Sequence, residues 1–367
     1  MPSAKLAMVS ADDEWSPLES VIVGRAEHSA FPSEPAHMIE ATMPDEHQQS
    51  FKPSNPFPPE ILQKAQEELD NFASILEREG IRVYRPKEVN WLKIGGYTGA
   101  MPRDSLMTVG NTVIEAPFAW GCRKQEVELG YSDILSALAE DGLSKVVRAP
   151  KILGRETLYD GVENCSSNGT HTWAINNTRP SFDTADFMRF GKVIIGQLSN
   201  VTNMKGVEYL RSVIPEGYTV EILQTDDPHA MHIDATILPL RNKLMVYHPE
   251  RVTEKALRQH AVFEDWELYA YPFTPEQKDG PPLYMTSPWL VLNALSLDEN
   301  RIMVEAKDTV FASWVKEKFG MEPIMCPFQH VNSIGGSFHC ATVDLNLKKK
   351  KRFLLEWEEY TEYPVEI

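Results

Sequence analysis

With 367 residues, 42% of them hydrophobic and 24% charged, the chain has the balance of a globular protein able to bury a large core, which argues against disorder. A formal net charge of −17 repels phosphate backbones and anionic lipid, so neither nucleic acid nor a membrane is an expected partner, and small cationic substrates are favoured. No apolar run is long enough for a membrane span or signal peptide, which predicts a cytoplasmic protein, and Cys122, Cys165, Cys326 and Cys340 form no CxxC pair, which argues against a zinc site or a disulfide scaffold; no metal or cofactor is expected.

In chain order, residues 1–13 read as an N-terminal tail and Phe31–Glu60, rich in proline and polar residues, as a long surface loop. Thereafter a helical stretch is followed by a short strand five times: Pro58–Glu79 then IRVYRP, Lys124–Glu140 then KVVRAP, Thr202–Val213 then YTVEIL, Thr253–His260 then WELYAYP, and Asp308–Phe319 then EPIMCP. In the first helix Ile61, Ala65, Leu69, Phe72 and Leu76 share one face, and Gly80 is its stop signal. Between these units lie hairpins with turns predicted at Gly110-Asn111, Gly191-Lys192, Arg241-Asn242 and Glu299-Asn300. Five like units predict an α/β ring that is one domain over 14–347, with a central cavity and each unit covering its neighbour's edge strand. An open dinucleotide-binding sheet is the alternative, but no G-x-G-x-x-G follows any strand. Residues 348–367 read as a C-terminal extension, and the KKKKR run within it as a solvated surface.

Polar residues interrupt the apolar hairpins at their starts: Asp104 in PRDSL, Asp183 and Asp186 in FDTADF, His232 and Asp234 in MHIDAT, and Cys340 in GGSFHCAT. In a ring of repeats such strand ends converge. Each residue alone has a plain reading: Cys340 as small apolar filler, His232 as a satisfied core histidine, the aspartates as caps or turn formers. Gly335 and Gly336 permit close approach of a ligand to the backbone. On an extended strand, His-Ile-Asp would put His232 and Asp234 on one face, and His339 would face away from Cys340 and be structural.

The stretches EWSPLESVIVG, PRDSLMTVGN, FDTADF, MHIDAT and GGSFHCAT, spread from Glu14 to Thr342, resemble the arginine amidinotransferases, which include the arginine:glycine and arginine:inosamine-phosphate enzymes. The resemblance implies a five-bladed α/β propeller of the pentein type. It implies Cys340 as nucleophile, His232 as general acid/base and Asp183 as the partner of the histidine. Asp104 and Asp234 would hold the guanidinium, Arg251 the donor's carboxylate, with Thr286 and Ser287 beside it; a serine pair is usual there, so Thr286 is a departure. Asp186, His229 and Met231 complete the expected substrate-binding set. The glycine-using relatives carry asparagine at the position of His229 and keep Met231, which favours a slender acceptor such as glycine or lysine over an aminocyclitol, with a natural-product amine also open. The implied reaction moves the amidino group of L-arginine to a primary amine through an amidino-cysteine and releases L-ornithine. The Phe31–Glu60 loop and Leu92–Ala100 are candidate covers that limit attack by water. A guanidine hydrolase on the same scaffold, a non-catalytic module and a Cys-His-Asp peptidase are the rival readings, and a homodimer is the base-rate expectation.

Overall fold

Pro59–Arg78 is helical because apolar residues recur every three or four positions and a proline opens it where no backbone donor is lost. The predicted face, Ile61, Ala65, Leu69, Phe72 and Leu76, is buried. Gly80, at φ 83°, turns the chain out of the helix. The computed structural model describes residues 9–34, 40–42, 50–140, 142–151, 158–159, 165–167, 169–277 and 279–348. Most of the predicted C-terminal extension, the KKKKR run beyond Lys348 and parts of the Phe31–Glu60 loop lie outside the described residues.

After that first helix the strand Arg82–Tyr84 lies parallel to Leu18–Val23, a pairing that requires such a crossover. The same step recurs at each of the other four places where it was expected. Ser132–Ala139 leads to Lys145–Val147, Met204–Val213 to Thr219–Ile222, Glu254–Leu257 to Glu267–Ala270, and Thr309–Phe319 to Glu322–Cys326. Each completes a three-stranded sheet whose other two strands are antiparallel.

Four of those antiparallel pairs are hairpins: Leu106–Val109 with Thr112–Glu115, Phe187–Phe190 with Val193–Gly196, Ile237–Arg241 with Leu244–Tyr247, and Leu295–Asp298 with Arg301–Glu305. The third turn sits one residue later than predicted, because the strand runs through Arg241 and Lys243 takes the left-handed conformation at φ 64°. The fifth pair joins distant parts of the chain, Thr342–Leu347 against Leu18–Val23. No turn connects those two strands, so no hairpin signal marked them. The five sheets share one strand order, and among the described residues no strand pairing links one to another. A two-stranded ribbon, Cys165–Ser167 with Thr172–Asn176, lies outside the pattern.

What links the sheets is a set of short turns, one before each antiparallel pair: Pro102–Ser105, Thr184–Asp186, Ile233–Ala235, Pro288–Leu292 and the turn at residues 338–341. Hydrogen bonds run between them in a closed circuit. Thr184 Oγ1 donates to the carbonyl of Arg103, the His232 amide to Asp186, Asn293 Nδ2 to the carbonyl of Asp234, the Cys340 amide to Asn293 Oδ1, and the Arg103 amide to the carbonyl of Cys340. The polar residues singled out in the sequence therefore sit on neighbouring turns. Within the predicted tail, Ser10, Ala11 and Asp13 make single bridges to Asn346, Gly110 and Phe190.

Candidate active site

Cys340 lies on a tight turn and not in a strand, which begins only at Thr342. The Ala341 amide donates to the carbonyl of Ser337 at 2.9 Å, and Asn293 Oδ1 accepts from the amides of Ser337 and Cys340 at 3.1 Å each. Behind the turn, Phe338 packs on Phe72 and Phe328. Gly336 is required there: a Cβ at that position would lie 2.5 Å from Cys340 Cβ and 3.0 Å from its Sγ. The strand expected at His232–Asp234 is likewise replaced by a turn. His232 takes φ 79° and Ile233–Ala235 forms a single 3₁₀ turn, pinned by the His232 amide donating to Asp186 Oδ1 at 2.8 Å.

Around the sulfur the carboxylates divide into two kinds. Asp183 stands behind the histidine, with His232 Nε2 3.0 Å from its Oδ2, and does not line the cavity. Asp104 and Asp234 do line it, and each keeps one buried oxygen, Oδ1, without a hydrogen-bond partner. Their other oxygens are occupied. Asp104 Oδ2 accepts from Arg123 Nη1 at 2.8 Å; Asp234 Oδ2 pairs with His339 Nδ1 at 2.7 Å and accepts from Cys340 Sγ at 3.3 Å. Asp104 Oδ1 lies 3.7 Å from His232 Nδ1, an ion pair without a hydrogen bond, and two buried carboxylate oxygens that lack hydrogen bonds beside a thiol are costly unless a cation with several N–H donors fills the space.

That space is a cavity of about 160 Å³ that also touches Tyr97, His229, Met231, Arg251, Thr286 and Ser287. Arg251 is held by Asp227, Nε to Oδ2 at 3.0 Å, and Thr286 Oγ1 donates to the carbonyl of Asn332 at 2.8 Å. Ala41 and Thr42, from the middle of the long loop, reach the site: Thr42 lines the cavity and the Ala41 carbonyl lies 3.0 Å from His229 Nδ1. Asp186 departs from expectation. It accepts from Gln197, Ser199, Thr202 and the His232 amide and does not line the cavity, so it braces the turn and is not placed to touch a ligand.

Electrostatically the site rests as imidazolium and thiol. Burial alone would push His232 down, but the charge of Asp104 and the hydrogen bonds to Asp183 and Cys340 outweigh it and hold the ring protonated well above its ordinary range. Burial, with the Asp234 charge, pushes the Cys340 thiol up to about 12 against the opposing pull of His232. A cation placed between Asp104 and Asp234 would favour the thiolate. Asp104, His232 and Cys340 also bring ligating atoms within 4.8 Å of one another, a spacing a metal ion could use.

Several residues of this site were not read from the sequence. Arg123 bridges Asp104 and Asp183 and forms a two-pronged pair with Glu126, whose carboxyl burial pushes up to about 7. Asn293 ties the Cys340 turn to Asp234, and Glu14, Arg189, Asp344 and Arg103 form a buried ion-pair chain below it. A signal did exist for two of these: Arg189 in FMRF and Asp344 in TVDLNL put a charge inside an apolar strand, which is tolerated only when paired.

No protein-family model matches the chain. Dimethylarginine dimethylaminohydrolase, at 12% identity with a TM-score of 0.57 over 89% of this chain and 99% of the other, shares the fold, which is of the pentein-type α/β class. Two amidinotransferase structures are nearer: SxtG of the saxitoxin pathway from Microseira wollei, TM-score 0.80 at 32% identity, covering 93% of this chain and 98% of that one; and inosamine-phosphate amidinotransferase StrB1 from Streptomyces griseus, 0.79 at 27%, covering 94% and 98%. An L-arginine:L-lysine amidinotransferase of Pseudomonas savastanoi pv. phaseolicola is 40% identical over 349 residues, 92% of this chain and 94% of the relative. The mitochondrial glycine amidinotransferase of Danio rerio is 36% identical over 365 residues, 94% of this chain and 84% of the relative. The chain belongs to the amidinotransferase family. No helix among the described residues is long and apolar enough to cross a membrane.

Proposed function

We propose that the protein is an L-arginine:amine amidinotransferase working by covalent transfer through Cys340, on a five-bladed propeller scaffold formed by its five sheets. The observation that carries this reading is the pair of buried oxygens without hydrogen bonds, Asp104 Oδ1 and Asp234 Oδ1, on carboxylates that line one cavity with Cys340. A guanidinium is a planar, resonance-stabilised cation and a poor electrophile, so the site must grip its N–H fork and keep it charged while the carbon is attacked. Arg251, Thr286 and Ser287 stand on the same cavity to take the donor's carboxylate.

Binding of the guanidinium cation favours release of the Cys340 proton to solvent; the thiolate sulfur then bonds to the guanidinium carbon, and the bond from that carbon to the ornithine nitrogen breaks as His232 delivers its proton to the leaving amine. The amidino group is then held on sulfur. An incoming amine attacks the same carbon, His232 recovers the amine's proton, and the carbon–sulfur bond breaks to return the thiolate. His229, Met231 and Thr42 border the cavity that an acceptor must enter. A slender amine fits this reading, lysine foremost, in keeping with the relative named for lysine.

The test is to supply arginine alone, then with lysine, glycine or an aminocyclitol, and to quantify ornithine, citrulline and the guanidino product. Sustained ornithine release that requires an amine, with lysine most effective, is expected. Citrulline and ammonia formed steadily without an amine would overturn the transferase reading in favour of a hydrolase.

A further inference from the structure

Asp234 is gripped from behind by a residue that the proposed reaction leaves unused. His339 Nδ1 lies 2.7 Å from Asp234 Oδ2, and His339 Nε2 lies 3.3 Å from Glu14 Oε2. Glu14 is held in turn by both arms of Arg189, at 2.8 Å each, and Arg189 by Asp344. These side chains are all buried. The imidazole is thus an ionic bridge between two carboxylates, one in the site and one beneath it. Its backbone is fixed as firmly: the His339 amide donates to the carbonyl of Asn293 at 3.1 Å, and its carbonyl accepts from the Thr342 amide at 3.1 Å.

We infer that His339, clamped by Glu14, is a positioning residue for the cation-binding carboxylate: by occupying Asp234 Oδ2 it leaves Oδ1 ionised, fixed in rotation and aimed at the substrate guanidinium. This rests on the proposed function above and deepens it. Three features make the bridge specific. A carboxylate rotates about its bond to Cβ, and a single short hydrogen bond on Oδ2 selects which oxygen faces the cavity. A buried aspartate with no countercharge would take up a proton and lose its grip on a cation; burial opposes ionisation of Asp234, and His339 is the main group that offsets it and holds the carboxyl below its usual range. Finally, the same Oδ2 accepts from Cys340 Sγ, so a swing of Asp234 would disturb the anion site and the nucleophile together. The side chain expected to point away from the chemistry instead supports it from one residue behind Cys340.

The test compares two thiol reagents of nearly the same shape, chloroacetamidine, whose amidinium carries a positive charge, and chloroacetamide, which is neutral. Second-order inactivation rates are measured for the full-length protein and for His339→Leu, His339→Asn and Glu14→Gln, with thermal unfolding as a check on folding. In the unsubstituted protein the cationic reagent should react faster, because Asp104 and Asp234 gather it beside the sulfur. His339→Leu should lower the cationic-to-neutral ratio about tenfold or more, the usual consequence of losing a charge-assisted hydrogen bond to a buried group. His339→Asn, whose amide nitrogen can stand in for Nδ1 without the charge, should restore part of it, and Glu14→Gln should lie between. A purely structural role would alter both rates alike and leave the ratio unchanged, which overturns the inference. If His339→Leu does not fold, the asparagine and glutamine variants carry the same comparison. Absence of any cationic preference in the unsubstituted protein would instead count against the proposed function itself.

Discussion

Asp183→Asn isolates the orientation of the histidine from the binding of substrate. Asp183 Oδ2 accepts from His232 Nε2 at 3.0 Å and from Arg123 Nη1 at 3.2 Å, and the carboxyl does not line the cavity. An asparagine side-chain oxygen can accept both bonds, so the substitution removes charge while keeping shape. A hydrogen bond to an ionised partner contributes about 1.5–3 kcal/mol and a neutral one about 1. The imidazolium therefore loses roughly 1–2 kcal/mol of support, which lowers its pKa by about one unit. Because the ring loses an orienting partner and becomes a weaker base for the acceptor amine's proton, kcat should fall about 10- to 30-fold with no rise in KM for arginine. The alkaline limb of the kcat profile, which reports loss of the imidazolium, should move to lower pH. Steady-state ornithine release across pH measures all three. An unchanged kcat, or a raised KM with kcat intact, would refute the assignment of Asp183 to the histidine.

Further outcomes follow from the same geometry. Alkylation of Cys340 by iodoacetamide in the absence of arginine should rise roughly tenfold per pH unit without a plateau at neutral pH, since the thiol is pushed up to about 12; a plateau near pH 7 would contradict a resting thiol. Gly336→Ala should leave a folded protein of greatly reduced activity, since the added methyl would crowd the sulfur, and circular dichroism with an ornithine assay separates the two effects. Arg123→Leu would strand Asp104, Asp183 and Glu126 without their shared cation, costing about 3–5 kcal/mol in denaturant unfolding. The midpoint of thermal unfolding should fall as pH rises above about 6. His232 and His339 are raised in the folded state, so their stabilisation is complete below about 6.5 and lost as pH climbs through the folded value, and Glu126, raised to about 7, changes stability in the same direction.

How far the sequence could be read depended on the kind of signal. The five crossovers were legible because each is a local period, as in the Ile61–Leu76 face, ended by glycine or proline. The pairing of Thr342–Leu347 with Leu18–Val23 was not, since no local turn records a contact between residues more than three hundred positions apart. Asp104, Asp234, His232 and Cys340 were legible as polar interruptions of apolar hairpins and do share one cavity. Their local conformation differs from the extended one expected: His232 and Cys340 sit on turns, because hydrogen bonds from their amides to Asp186 and Asn293 override the extended pattern. The FDTADF stretch groups Asp186 with Asp183, yet four donors claim Asp186 for the scaffold. Arg123, Asn293 and Glu14 act through partners distant in the chain or on another sheet, which composition and spacing do not encode.

The central claim is that Cys340 carries the amidino group between donor and acceptor. Intact mass of the protein after brief exposure to arginine, followed by addition of lysine, tests it most directly. The account predicts a mass gain equal to one amidino group replacing hydrogen, located on Cys340, with ornithine released in equal amount and the adduct discharged by the amine. Turnover by Cys340→Ser, or transfer to lysine at the usual rate with no adduct on Cys340 at any time, would contradict it.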